Sequence, residues 1–302
     1  MDYLSAIRKP IEGDMTRFVA LFKESLSYTD GMLKEILSRI CERGGKRMRP
    51  MLVFLTARNF GEVTDVAQNS ALGLELLHTA SLVHDDVVDE SEQRRGAPSV
   101  NAAYNNKVAV LVGDYILSTA LLRVALSRNN AIVEHLSELG RTLAAGEIHQ
   151  LSNISSQEFS EEAYYRVIEK KTASLFESCC VLGSISVGAS EEVIKKAAKF
   201  GYNVGMIFQI RDDIFDYYDS PEIGKPTGND MKEGKLTLPI LYALNKYDNP
   251  AVKNLAMKVK NGSINSDEIA VLIEFAKQYG GTTYAERKMD QFAKEAQIFI
   301  DE

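Results

Sequence analysis

Leu72, Leu76, Ala80, Val83 and Val87 recur at steps of four, four, three and four residues, which places them on one face of an α-helix. Leu33, Ile36, Leu37 and Ile40 repeat the pattern earlier, and the same period runs through almost the whole chain. A helix is predicted from Pro50 to Gly61, since proline suits a first helical position and glycine the position past the end. Strand-like alternation bounded by hairpin dipeptides is essentially missing. The chain is therefore predicted to be all-α, with loops at residues 92–98 and 220–235, both rich in glycine, proline and charge. No Pro/Gly/Ser-rich linker, low-complexity tract or short repeat interrupts its 302 residues, so a single domain over 1–302 is expected.

Charge and cysteine usage exclude several classes of function. Lys and Arg number 35 against 42 Asp and Glu, a net charge of −7, and such a chain has no excess of cations with which to bind nucleic acid. Cys41, Cys179 and Cys180 have neither metal-ligand spacing nor the even count of a disulfide framework, which fits a reducing cytoplasm. The first fifteen residues lack the basic-then-apolar order of a signal peptide. The most apolar stretch, residues 108–126, carries Asp114 and Arg123, so a buried core helix is expected there rather than a stable membrane insertion.

The chemistry is concentrated in two acidic clusters. His78-Thr-Ala-Ser81-Leu-Val-His84-Asp85-Asp86-Val-Val-Asp89 ends an apolar helical run. Asp85 and Asp89 lie about 40° apart on the helix, with Ser81 and His78 below them on the same side. Two carboxylates at i, i+4 repel each other. A hard divalent cation relieves that repulsion, and Mg²⁺ commonly binds through one or two carboxylates plus substrate phosphates. One such cluster also reads as a solvated acidic helix end. The second, Gln209-Ile-Arg-Asp212-Asp213-Ile-Phe-Asp216, repeats D-D-x-x-D after another apolar run, and the pair suggests facing walls of one cavity that draws in a polyanion.

Cations complement them. Arg43-Gly-Gly-Lys46-Arg47-Met-Arg49-Pro50 sets basic residues before a helix N-terminus, where bare amides and guanidinium groups favour phosphate. Arg94 and Arg95 follow the first acidic cluster. Lys170-Lys171-Thr172, Lys225 and Lys235 add charge beside other apolar helices. No Ser/His/Asp or Cys/His arrangement stands out, and His135 and His149 read as structural.

The succession GGKRMRP, HTASLVHDDVVDESEQRRG, GDYILS, GEIHQL, KT, FQIRDDIFDY and IGKPTGNDMKEGKLTLPI resembles the trans-isoprenyl (polyprenyl) diphosphate synthase family, long-chain type, from about Gly44 to Leu241. That resemblance implies an isoprenoid synthase-like helical bundle around a deep central cavity, as a homodimer. It implies that Asp85, Asp86, Asp89, Asp212, Asp213 and Asp216 hold about three Mg²⁺ ions on an allylic diphosphate primer. Arg94, Lys171, Thr172, Gln209, Lys225 and Lys235 would line that diphosphate, with Lys171, Thr172, Gln209 and Lys235 nearest the chemistry. Lys46, Arg49, His78 and Arg95 would hold isopentenyl diphosphate.

Product length is read from the helix below the first aspartates. Ser81 lies about one turn, or 6 Å, beneath Asp85 and leaves room for a growing tail, where an aromatic side chain would close the floor. By the resemblance Ala80 matters too. Small residues at both positions predict a long product of the kind used for isoprenoid-quinone tails, with transient membrane contact during its release. The alternatives are a farnesyl or geranylgeranyl diphosphate synthase, and a non-catalytic regulatory subunit of a heteromeric synthase. A terpene cyclase would not keep both motifs, and a di-iron bundle would need E-x-x-H pairs that Glu147-Ile-His149 does not supply.

Overall fold

The structure, a computed structural model, describes residues 3–42, 45–94, 96–218 and 227–301. Helix α1 (Tyr3–Arg8) passes through a 3-10 turn into α2 (Glu12–Ser25), followed by α3 (Gly31–Glu42), α4 (Met48–Phe60) and α5 (Asp65–Val88). A two-residue antiparallel ribbon, β1 (Gln93–Arg94) with β2 (Ala97–Pro98), is the only β-structure among the described residues. Then come α6 (Val100–Ala103), α7 (Asn106–Leu126), α8 (Asn130–Ser155) and α9 (Glu161–Ile168). A π-helical turn (Glu169–Ala173) joins α9 to α10 (Ser174–Ser186), and α11 (Glu191–Phe215) follows. The chain ends in α12 (Asn229–Lys232), α13 (Leu238–Lys246), α14 (Pro250–Lys260), α15 (Ser266–Gln278) and α16 (Gly281–Asp301). The all-α expectation holds.

The chain forms two compact units, residues 1–140 with 178–198 and residues 141–177 with 199–302. The divisions fall inside α8, α10 and α11, so no single cut of the chain separates them.

In the first unit α5 is the central element. Leu72, Leu76, Ala80 and Val83 of the expected stripe are buried, and so are Ala71 and Leu74 on other sides of the helix. Gly73 lets α7 come close, because a β-carbon there would meet Val124 Cγ2 at 2.4 Å. Helix α4 starts two residues earlier than predicted, capped by Arg47 in the left-handed conformation at φ 51°. Pro50 then sits in the first turn, whose amide has no intrahelical acceptor to lose.

Helix α7 corrects another expectation. Its inner face (Val112, Ile116, Ala120, Val124) is buried, but Leu111, Leu121, Leu122 and Leu126 are at least half exposed. The run is apolar all round, so its period could not reveal that one face is left uncovered.

In the second unit Met206 and Ile210 of α11 pack with Leu238 and Ile240 of α13 and Leu272 of α15. Side-chain caps set the helix starts: Ser160 accepts from Ala163 N at 3.0 Å, and Asn265 forms a reciprocal box with Glu268.

Candidate active site

The first acidic motif closes α5. Asp89 caps the helix, its amide donating to Asp85 O at 2.8 Å, so the helical register runs on to the last aspartate. Asp85 is half-buried and Asp89 exposed, while Asp86, about 100° round the helix, is buried. Arg94 Nε donates to Asp86 Oδ1 at 2.7 Å, and its terminal amino group lies 2.7 Å from the same oxygen. Burial pushes the Asp86 carboxyl up, and the Arg94 charge opposes it. The motif thus divides its labour. Asp85 and Asp89 share the accessible face, and Asp86 anchors the loop that follows.

Asp86, not the accessible pair, lines a cleft of about 80 Å³, together with Arg47, Glu75, His78, Leu82 and Arg94 among others. Ser81 Oγ donates back to His78 O at 2.9 Å, and Ala80 is buried. Of the residues expected to hold isopentenyl diphosphate, His78 lines the cleft, Lys46 lines a different cavity, and Arg49 is half-buried in the first turn of α4. Arg95 and Lys225 lie outside the described residues. The cation that reaches the cleft from the glycine-rich loop is Arg47, packed over the rings of Phe18 and Phe22. Its place next to an arginine-rich run gave no local sign of this.

The second motif lies in the second unit, beside a cavity of about 230 Å³ whose lining includes Lys171, Thr172, Gln209, Asp213 and Lys235. All four residues expected nearest the chemistry therefore line one cavity within one unit. A chain of hydrogen bonds ties two of them, Thr172 and Gln209, to the motif. Thr172 Oγ1 donates to Gln209 Oε1 at 2.7 Å, Gln209 Nε2 donates to Asp213 Oδ1 at 2.7 Å, and Tyr164 OH donates to Asp213 Oδ2 at 2.6 Å. Lys171 and Thr172 sit on the π-turn, where the helix is wider, a feature common at functional sites. Lys171 pairs with Glu147 and donates to Gln150 Oε1 at 3.1 Å.

Asp212 is exposed and Asp213 buried, as the same helical offset requires. Asp216 accepts from the amides of Asn229 and Asp230 at 2.9 and 3.1 Å, which fixes the start of α12. Tyr164 and Asp230 escaped the sequence reading. Tyr164 is 49 residues from the aspartate it serves. Asp230 could have been noticed in NDMKEGK, where it lines the cavity and lies near Lys235.

The sequence profile of the polyprenyl synthetase family matches residues 30–275. The chain belongs to this family. It is a prenyltransferase. Among its relatives, the octaprenyl diphosphate synthase of Escherichia coli K12 is 38% identical over 242 residues, 80% of this chain and 75% of that protein. A geranylgeranyl pyrophosphate synthase structure from Bacteroides thetaiotaomicron is 47% identical with a TM-score of 0.87, covering 100% of this chain and 93% of that one. A polyprenyl synthase structure from Caulobacter crescentus CB15, in complex with calcium and isoprenyl diphosphate, is 28% identical with a TM-score of 0.91, covering 99% and 91%.

The carboxylates of this polyprenyl synthetase suit a hard cation that brings its other ligands with it. Among the described residues no three His, Cys, Asp or Glu side chains enclose an ion by themselves. Mg²⁺ does not need such a cage, since it is normally completed by water and substrate phosphate. The second unit also gathers several carboxylates close together. Asp213 and Asp230 are both held above the ordinary carboxylate range, first by burial, with Asp216 adding to each. A carboxyl raised in the folded state contributes stability that is complete below its unfolded value, about 4, and is lost as pH climbs through the raised one. A bound cation offsets that loss. Added Mg²⁺ at ten times its dissociation constant is therefore expected to raise the melting temperature by about 3 °C, more at about pH 8 than at about pH 5. A scan with no magnesium response at either pH removes these carboxylates from a metal site.

Proposed function

We propose that the protein condenses isopentenyl diphosphate head-to-tail onto an allylic diphosphate primer, repeatedly and with magnesium, to make a long trans-polyprenyl diphosphate. The observation that carries this reading is the convergence of Lys171, Thr172, Gln209 and Lys235 on one cavity beside the second aspartate motif, in a member of this family. Asp85 and Asp89 in the first unit and Asp212 in the second, with the remaining motif aspartates in support, would hold Mg²⁺, about three ions in all, which would supply Lewis-acid stabilisation of diphosphate charge.

The chain's own residues act around that. Lys171 and Lys235 meet negative charge as the primer's C–O bond breaks and its electron pair departs with diphosphate. The Gln209 amide, held between Thr172 and Asp213, keeps its dipole fixed beside the forming cation. The double bond of isopentenyl diphosphate then supplies the electron pair of the new C–C bond. A proton leaves the adjacent carbon for the departed diphosphate, and an allylic diphosphate one unit longer remains. Arg47, with Lys46, Arg49, His78 and Arg95 as expected from the resemblance, holds isopentenyl diphosphate, and Arg94 and Lys225 join Lys171 and Lys235 on the allylic diphosphate.

Small side chains at Ala80 and Ser81, together with the octaprenyl relative, support a long tail. The geranylgeranyl synthase at 47% identity favours a second reading, a shorter product. Incubation with labelled isopentenyl diphosphate, several primers and Mg²⁺ separates them. Elongation beyond the geranylgeranyl length is expected. Products that stop there establish the second reading, and an inert chain that acts only with a partner would make it a subunit. Ser81→Phe is expected to shorten the product with early turnover largely intact. Unchanged lengths would show that Ser81 does not face the tail.

We also propose a cytoplasmic homodimer in which a second copy covers the outer face of α7. That helix is long and apolar enough to span a membrane, yet Asp114 lies in its middle with a 60% exposed side chain, which opposes a lipid environment. Leu121→Lys with Leu122→Lys is expected to convert a dimer to monomers in analytical ultracentrifugation. A wild type that sediments as a monomer ends this part of the proposal.

A further inference from the structure

The N-terminal segment has a charge opposite to that of the whole chain. Residues 3–47 contain nine Lys or Arg and six Asp or Glu, in a protein of net charge −7. Several of these groups neutralise one another or their neighbours. Arg17 pairs with Asp65, Arg39 with Glu35, Asp14 with Arg58 and Glu24 with Arg123. Among the described residues Arg8, Lys23, Lys34 and Lys46 make no ion pair, and these four line one open cavity of about 700 Å³. Among the described residues Glu42 is the only carboxylate in its wall.

The cavity is apolar beneath the cations. Met15 and Leu26 form buried parts of its lining, and Leu4 and Tyr28 are exposed parts of it. Ile7, one turn beyond Leu4 on α1, is about half exposed as well. Unpaired cations around apolar side chains restrict what can cover this face. A second copy would bring the same cations and be repelled. A purely acidic partner would leave Leu4, Ile7 and Tyr28 against polar groups. A bilayer of anionic phospholipid meets both requirements at once, phosphate for the cations and acyl carbon for the apolar side chains.

We propose that this face, built from α1, α2 and the start of α3, docks the protein reversibly on anionic phospholipid, with lipid phosphates among Arg8, Lys23 and Lys34 and the side chains of Leu4, Ile7 and Tyr28 at the acyl boundary. The inference does not depend on product length or on the dimer. It would place the enzyme at the phase in which a long isoprenoid dissolves.

Flotation of the full chain with lipid vesicles tests it. Recovery is expected with mixed phosphatidylcholine–phosphatidylglycerol vesicles and not with phosphatidylcholine alone, and it should fall as salt rises. Each cation near an anionic surface is worth about fivefold, so Arg8→Gln with Lys23→Gln and Lys34→Gln should lower partitioning about a hundredfold. Turnover of a water-soluble primer in vesicle-free buffer should stay at the wild-type level. Leu4→Ser with Ile7→Ser should weaken partitioning with no change of charge, which separates a bilayer from a simple ion exchanger. Equal recovery on both vesicle types, or a triple variant that floats like the wild type, overturns the proposal. So does pyrophosphate binding that is lost in the Arg8, Lys23 and Lys34 triple variant but comes without flotation, which would assign these cations to a free anion.

Discussion

Asp85→Ala is expected to lower kcat/KM by about a thousandfold while shifting the melting temperature less than a change at the buried Asp86 does. The two halves of this expectation come from the same geometry. Asp85 shares the accessible face at the end of α5 with Asp89, and an acidic pair at that spacing costs a few tenths of a kcal/mol through repulsion. Alanine is the best helix former, so the turn that carries Asp89 survives the change. What disappears is a carboxylate for the cation, worth several kcal/mol of charge stabilisation in the transition state, or about a thousandfold in rate. Asp86→Asn reports the opposite case. Its carboxylate is buried against Arg94, so the loop after α5 loses its anchor and thermal stability falls. Steady-state rates across a magnesium titration, with melting curves for both variants, check the pair. An Asp85→Ala enzyme working within tenfold of wild type would remove that side chain from the metal site.

The two D-D-x-x-D motifs show how far the letters of the sequence reach. Helical offset alone turns the middle aspartate about 100° from the first and about 60° from the last, and both middle aspartates, Asp86 and Asp213, are buried on protein partners. The spacing therefore contained that division of roles, although the motif reads as three equivalent acids. The helices were legible for the same reason, because a 3.6-residue period survives any tertiary arrangement. What the period cannot carry is long-range partnership. Tyr164 reaches Asp213 across 49 residues, and Arg47, not its neighbour Lys46, lines the cleft beside His78 because a left-handed turn aims it there. The uniformly apolar α7 likewise gave no indication of which side the rest of the fold would leave open.

Lys171→Ala is expected to cost about a hundred- to a thousandfold in kcat, the usual penalty for removing one preorganised group that meets developing negative charge. The surroundings of this lysine show why it is preorganised. The π-turn projects it toward the cavity, Glu147 and Gln150 of α8 hold its ammonium, and α8 lies close because residue 146 is glycine. A β-carbon at Gly146 would sit 2.8 Å from Lys170 Cβ and 3.1 Å from Lys171 Cγ. Loss of rate alone would not distinguish chemistry from structure, because Lys171→Ala also leaves the largely buried Glu147 without its cation. Glu147→Gln separates the two. Alone, it keeps the ammonium and should retain most of the rate. Combined with Lys171→Ala, it removes the stranded charge, so the melting temperature should recover while the rate stays low. A double variant that regains activity along with stability would show that Lys171 only neutralises Glu147, and the leaving diphosphate would then need another cation of this cavity, Lys235, as its principal partner.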